Sequence, residues 1–223
     1  MSKKKVVIIG AGGSGRELLS LLEDCSQDMP QYDILGFIVQ KEYAQPGEVV
    51  NGYPVLGDFD WFEKTFRDVY AICAVGGPQD RRRLIEYAAG KGAQFCSVIH
   101  PLASVSKWVE IGVGSIVSAG SILSVQARVG NHVYINLNCT ISHDVVVQDY
   151  VTVSPGTHIS GNVVVGEGSY IGTGTNIIQK VHIGSWSIIG AGSVIIRDVP
   201  ANTTVVGNPG RVIKERENGW HLR

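Results

Sequence analysis

Residues 135–159 read INLNCTISHDVVVQDYVTVSPGTHI, and every sixth position of this stretch, Ile135, Ile141, Val147, Val153 and Ile159, is aliphatic. The phase extends in both directions without a break, from Ile99 to Ile195. With about three residues in ten being Ile, Leu or Val, chance would produce the full series on the order of once in 10⁹, so this half of the chain is a repeat. Four places after the aliphatic residue stands a small or β-branched one, as in Ser115, Ser121, Cys139, Val145, Thr157 and Val163. That position lies two before the next aliphatic residue, so along an extended strand both side chains point to one side, inward.

Three places after the aliphatic residue the chain repeatedly has Gly, Asn or Asp, among them Gly114, Gly120, Asn138, Asp144, Gly156 and Asn162. These residues tolerate the left-handed backbone that a sharp corner demands. A short strand followed by a corner, repeated every six residues, predicts a parallel β-helix of triangular cross-section, three hexapeptides to a coil and between five and six coils in all. An ordinary β-sandwich would not hold a six-residue phase over this length.

Composition agrees. Only 17% of the 223 residues are charged, whereas 28 are glycine, a bias toward small residues and away from helical surfaces. The formal net charge of −1 with no long run of one sign argues against a nucleic-acid partner. Cys25, Cys73, Cys96 and Cys139 show neither metal nor disulfide spacing and read as reduced, buried thiols of a cytoplasmic protein. The one apolar run near the start, Val6 to Ile9, is too short for a membrane span.

That run ends in Gly10-Ala11-Gly12-Gly13-Ser14-Gly15 and is followed by leucines at helical spacing, which predicts strand, glycine loop and helix. Further strands are expected at Ile34 to Val39 and Tyr70 to Val75, and a helix from about Asp80 to Lys91. The alternation predicts a small Rossmann-like parallel sheet over residues 1–96, followed by the β-helix and a tail over residues 97–223. The hexapeptide pattern resembles the hexapeptide-repeat family, which implies that the β-helix is left-handed. Gly10, Gly12, Gly13, Ser14 and Gly15 suit either a phosphate at a helix N-terminus or tight packing of helix on strand. A dinucleotide reader also wants an acidic residue at the end of the second strand, but this strand ends Val39-Gln40-Lys41. Arg81, Arg82 and Arg83 could reach a phosphate, though covering a helix surface is the simpler reading.

Of six histidines, His132 and His158 are expected to face solvent or a neighbouring subunit, His158 and His182 to lie on different faces, and His100 and His221 to be structural. No trio converges, so no metal is expected. His143 differs because it sits at a corner beside Asp144, where a carboxylate can fix one tautomer of the imidazole and support a general base.

Taken together, Gly10 to Gly15, Ile34-Leu35-Gly36-Phe37, Asn51-Gly52-Tyr53-Pro54-Val55-Leu56-Gly57, Ile99-His100-Pro101-Leu102-Ala103, His143-Asp144 and Val206-Gly207-Asn208-Pro209-Gly210-Arg211-Val212 resemble the sialic acid O-acetyltransferase-like (NeuD-type) sugar acyltransferases. Within that family the chain looks most like the PglD-like N-acetyltransferases of nucleotide-linked amino sugars. The resemblance implies a homotrimeric, acetyl-CoA-dependent transferase whose acceptor is a nucleotide-linked 4-amino-4,6-dideoxy sugar. His143 would be the general base, Asp144 its orienting acid, and Gly161 the backbone donor to the thioester carbonyl. Gly190 and Ala191 would line pantetheine, while Asn208, Pro209 and Arg211 would close around the far end of coenzyme A. The glycine loop and Gln40 would meet the nucleotide, Gln40 standing where the family commonly has acidic residues. Two other functions share the same residues: acetyl transfer to a sugar hydroxyl, and a non-catalytic trimeric binding module.

Overall fold

The computed structural model describes residues 3–27, 31–43, 45–65 and 68–222. The chain divides into two compact units, Met1–Gly76 with Asp80–Pro101, and Gly77–Gln79 with Leu102–Arg223. None of the described helices is long and apolar enough to cross a membrane.

In the first unit, β1 (Lys4–Ile9) leads through the glycine loop into α1 (Gly13–Asp24) and then β2 (Tyr32–Ile38). A two-stranded arm, β3 (Val49–Val50) and β4 (Tyr53–Gly57), precedes the short α2 (Trp61–Lys64), β5 (Val69–Cys73), α3 (Pro78–Gly90) and β6 (Gln94–Phe95). The strand order is β3-β4-β2-β1-β5-β6, parallel except for the β3–β4 hairpin. The hairpin is absent from the sequence reading. It is set by Asn51-Gly52, both at positive φ (45° and 85°), the pattern of a two-residue turn between antiparallel strands. Val6 to Ile9 are at most 1% exposed, which is why they form an unbroken apolar run: a central parallel strand is covered on both faces.

The second half has one two-residue strand per hexapeptide, from Val98–Ile99 to Val194–Ile195, each ending on its periodic aliphatic residue. Strands 18 residues apart pair in parallel, for example Tyr134–Ile135 with Thr152–Val153, which is three hexapeptides per coil. Three sheets result. The first runs through Ile116–Val117, Tyr134–Ile135 and their successors, the second through Thr140–Ile141 and His158–Ile159, the third through Arg128–Val129 and Val146–Val147. From Val117 to Ile195 the periodic aliphatic residues, with the apolar ones four places later, form one continuous buried core, against which Val105 and Ile111 pack partly buried. Ile99, the first of the series, departs from the expectation: it is 40% exposed, and its neighbour Val98 is the buried residue of that strand.

The inward hydroxyls are hydrogen-bonded, as burial requires. Ser115 Oγ donates to the Gly130 carbonyl (2.8 Å) and accepts from the Val133 amide (3.0 Å); Ser121 repeats this with Asn136 and Cys139. Each such serine ties one corner to the coil that follows.

All corner positions from Gly114 to Gly192 adopt positive φ, including the five that the composition of the corners did not single out: Gln126, His132, Tyr150, Lys180 and Trp186. Three of these bulky residues share one corner, where tertiary stacking holds them. His132 lies flat on Tyr150 (5.6 Å between ring centres, 9°), and Trp186 lies on His221 (3.8 Å, 3°). His132 is therefore only 9% exposed, so of the two expectations for its position, solvent or a neighbouring subunit, the first is not met. Its ring occupies space left by Gly114 one coil below, just as Trp186 fills that above Gly168.

Candidate active site

The corner after Thr140–Ile141 carries His143 and Asp144, in the left-handed position at φ 58°. Eighteen residues later, one coil on, the same two places hold Gly161 and Asn162, and the Asn162 amide donates to the His143 carbonyl (3.0 Å). Coil stacking thus places Gly161 against His143. A Cβ built on Gly161 would stand 2.5 Å from both Cε1 and Nε2 of the imidazole, so only glycine leaves the ring its place.

His143 Nδ1 lies 2.8 Å from Asp144 Oδ2, with side chains 55% and 46% exposed. A carboxylate only accepts, so Nδ1–H donates and Nε2 is left with its lone pair, open to a ligand on the outside of the prism. The Gly161 N–H has no acceptor among the described residues. One corner therefore joins an oriented base to an unused backbone donor, the two groups that acyl transfer needs.

The other expected site residues lie elsewhere. Gly190 and Ala191 follow Ile188–Ile189, on the corner between the first and second sheets, whereas His143 is on the corner between the second and third. Asn208, Pro209 and Arg211 belong to the turn and strand that follow Thr203–Val206. Within one chain these are not brought to His143.

In the first unit, a cavity of about 360 Å³ opens at the C-terminal edge of the sheet, lined by Gly10, Gly12, Gln40, Tyr43, Glu48 and Phe59 among others. It sits beside β1, between β2 and β5, where the strand order reverses, the usual position of a ligand in a doubly wound sheet. Gly12 is the N-cap of α1, with no side chain capping it and no acid in the first turn. The positive end of the helix is thus left for an anion.

The glycines divide by cause. Gly15 is required by packing, because a Cβ there would strike the Gly10 carbonyl oxygen. Gly12 and Gly13 have open space around them, and Gly12 has an ordinary φ of −73°, so the fold does not ask for their small size. Gly13, Ser14 and Gly15 form the first turn of α1 and do not line the cavity.

Lys41, at the altered end of β2, is paired with Asp58 (3.0 Å) and Asp60 (4.0 Å). The hydrogen bond from Lys41 holds the Asp58 carboxyl below the ordinary range, and the same bond raises Lys41. The arginines of α3 are likewise occupied. Arg81 is 1% exposed and donates to the Val75 and Gly76 carbonyls, a correction to its reading as a surface residue, while Arg82 pairs with Glu86 and Arg83 with Asp80. His100 bonds Asp24 (3.0 Å) and is buried, in keeping with a structural role. His158 and His182 lie in the second and third sheets, hence on different faces.

Glu48, Tyr43 and Phe59 were missed as cavity residues. The Asn51-Gly52 turn was the available signal, since it folds Val50 back beside Tyr53 and Glu48 beside Val55, whose amide donates to the Glu48 carbonyl.

A hexapeptide solenoid with an oriented histidine on its outer corner, together with a Rossmann-like unit, defines an acyltransferase of the hexapeptide-repeat class. The PglD N-terminal domain family matches residues 5–88, and the bacterial transferase hexapeptide family (six repeats) matches residues 162–197. The acetyltransferase domain of PglB from Neisseria gonorrhoeae FA1090, solved with acetyl coenzyme A, is 34% identical, with 95% of this chain and 100% of that chain covered at a TM-score of 0.86. WeeI from Acinetobacter baumannii AYE is 31% identical over 93% of this chain and 99% of its own, TM-score 0.82. A histidine-to-asparagine variant of perosamine N-acetyltransferase from Caulobacter crescentus, solved with CoA and GDP-perosamine, is 28% identical over 95% and 97%, TM-score 0.85. No curated protein matches. The chain belongs to the PglD-type family of hexapeptide-repeat sugar acetyltransferases.

Proposed function

We propose that this protein transfers the acetyl group of acetyl-CoA to the amino group of a nucleotide-linked 4-amino-4,6-dideoxy sugar, with His143 as general base and Asp144 as its orienting acid. The observation that carries the reading is the 2.8 Å contact of His143 Nδ1 with Asp144 Oδ2, over the unused amide of Gly161. Family relatives solved with acetyl coenzyme A, or with CoA and GDP-perosamine, support the choice of both substrates.

The acceptor amine attacks the thioester carbonyl carbon while Nε2 of His143 takes its proton. The resulting oxyanion accepts a hydrogen bond from the Gly161 N–H. The C–S bond then breaks, and the thiolate leaves with the proton returned by the imidazolium, giving amide and free thiol. A positioned base supplies about 10²- to 10⁴-fold and one oxyanion donor about 10²- to 10³-fold. Holding both substrates in line supplies much of the remainder. No protein nucleophile takes part. Cys139 points into the core, and burial raises its thiol pKa.

The working unit is a homotrimer. Ile122, Val125, Ile178 and Ile196, on or beside the second sheet, are 39–50% exposed, an apolar stripe suited to burial against a second copy. Assembly brings Gly190, Ala191, Asn208, Pro209 and Arg211 of one copy toward His143 of another, which reconciles their placement on separate corners with one coenzyme A site. Four reduced, buried thiols fit a cytoplasmic setting.

The test is free-thiol release from acetyl-CoA with UDP-, dTDP- and GDP-linked 4-amino sugars. One of these acceptors is expected to turn over, and His143→Ala to lose more than about 100-fold in kcat with the fold intact. Turnover of hydroxyl acceptors alone would make the enzyme an O-acetyltransferase. An undiminished rate in His143→Ala would refute the mechanism, and no turnover of any acceptor would leave a binding module.

A further inference from the structure

We infer that the cavity of the N-terminal unit selects guanine, and that Glu48 is the residue that reads the base. The inference deepens the nucleotide-linked acceptor proposed above and rests on it. At one end of the cavity are Gly10 and Gly12, with the uncapped start of α1, a seat for phosphate. The rest of the lining is largely apolar, with Ile38, Val50, Phe59 and Leu84 among it, a surface against which a planar base can pack. The polar residues lining it are Gln40, Tyr43 and Glu48.

Neither Glu48 nor Gln40 makes a side-chain hydrogen bond or ion pair among the described residues. The nearby cation in sequence, Lys41, is taken by Asp58 and Asp60 and does not neutralise Glu48. The cavity thus meets a base with an unengaged carboxylate, which presents acceptors only.

Among the common bases, guanine alone carries two adjacent donors, N1–H and the 2-amino group, at the spacing of the two carboxylate oxygens. Uracil and thymine have a single N3–H between two carbonyl oxygens. Adenine and cytosine place their amino group beside a ring nitrogen lone pair. Against each of these the carboxylate faces an acceptor, and a lone pair meets a lone pair. The bonds to guanine are charge-assisted and paired, the stronger kind. A bidentate base contact discriminates by roughly 5- to 150-fold.

The experiment is calorimetric titration of the full-length protein with GDP, UDP, dTDP, ADP and inosine diphosphate, which keeps N1–H but lacks the 2-amino group. GDP is expected to bind at least about tenfold more tightly than each of the others. Glu48 is exposed, so Glu48→Ala leaves the fold in place. That variant should weaken GDP by about 10- to 100-fold while bringing GDP and inosine diphosphate within about twofold of each other. Binding of UDP or dTDP as tight as that of GDP, or a Glu48→Ala protein that keeps the GDP preference, would overturn the inference and leave the nucleotide-linked acceptor standing. If no nucleoside diphosphate binds the wild-type protein, the acceptor reading itself fails, and the inference with it.

Discussion

Replacing Gly161 by alanine adds one methyl group, and the structure specifies what that group meets. It would sit 2.5 Å from Cε1 and Nε2 of His143 and 3.1 Å from Nδ1, well inside ordinary contact distance. Gly161 is not in the left-handed region, so the backbone accepts alanine and the conflict falls on the imidazole. The ring is half exposed and can swing outward, at a cost of order 0.5–1.5 kcal/mol for the off-rotamer torsion. Stability therefore changes little, by roughly 2–4 °C in Tm for each kcal/mol in a chain of this size. Swinging out breaks the bond to Asp144 and removes Nε2 from the acceptor amine. The expected loss in kcat is about 10²- to 10⁴-fold, the full contribution of a positioned base, equal to about 2.7–5.4 kcal/mol of transition-state stabilisation. The assay is steady-state thiol release, run on wild type, Gly161→Ala, His143→Ala and the double variant. Because the methyl group acts through the histidine, the double variant should be no slower than His143→Ala alone. A Gly161→Ala enzyme within about threefold of wild type, or a further large loss on top of His143→Ala, would refute the reasoning.

Asp144→Asn keeps a residue that tolerates the corner's positive φ but replaces the carboxylate with an amide that no longer fixes the tautomer. It should lower kcat by about 10- to 100-fold, below the ceiling for a lost base, with Tm unchanged in a thermal melt. Alkaline pH should destabilise the fold. Burial raises Cys25 and Cys96 to about 11 and Cys73 to about 12 from an ordinary 9.0, so above pH 9 the unfolded chain sheds protons that the folded chain retains. Stability present below pH 9 is progressively lost as pH rises toward 11–12. Melts at pH 8 and pH 10 should show the lower Tm at pH 10, and a Cys73→Ala variant should show a smaller difference between the two.

The β-helix was legible because its rule is local and repeated: an aliphatic residue every sixth place, with a small residue two before it, can satisfy inward packing in only one architecture. His143 and Asp144 could be placed on a corner from that phase alone. The stacking of Gly161 against His143 was available from the same arithmetic, since 143 and 161 are one 18-residue coil apart, though the sequence reading reached Gly161 through family resemblance. The bulky corner residues were not legible. Tyr150 and Trp186 have no intrinsic preference for left-handed backbone, and stacking with His132 and His221, from another coil and from the tail, holds them there. Arg81 was misread for a similar reason. Its burial depends on carbonyls at the end of β5, which no helical pattern announces.

The sequence by itself determined the hexapeptide phase of the coils and the adjacency of His143 and Asp144 on one corner, because each follows from spacing along the chain. Only the tertiary structure decided the cavity of the N-terminal unit, whose walls come from residues 9–12, 38–40, 43, 48, 50, 59, 75 and 84. Side chains so far apart meet only when helix, hairpin and sheet pack together, and the energy that brings them there is burial of the apolar faces behind them. No local pattern encodes that meeting.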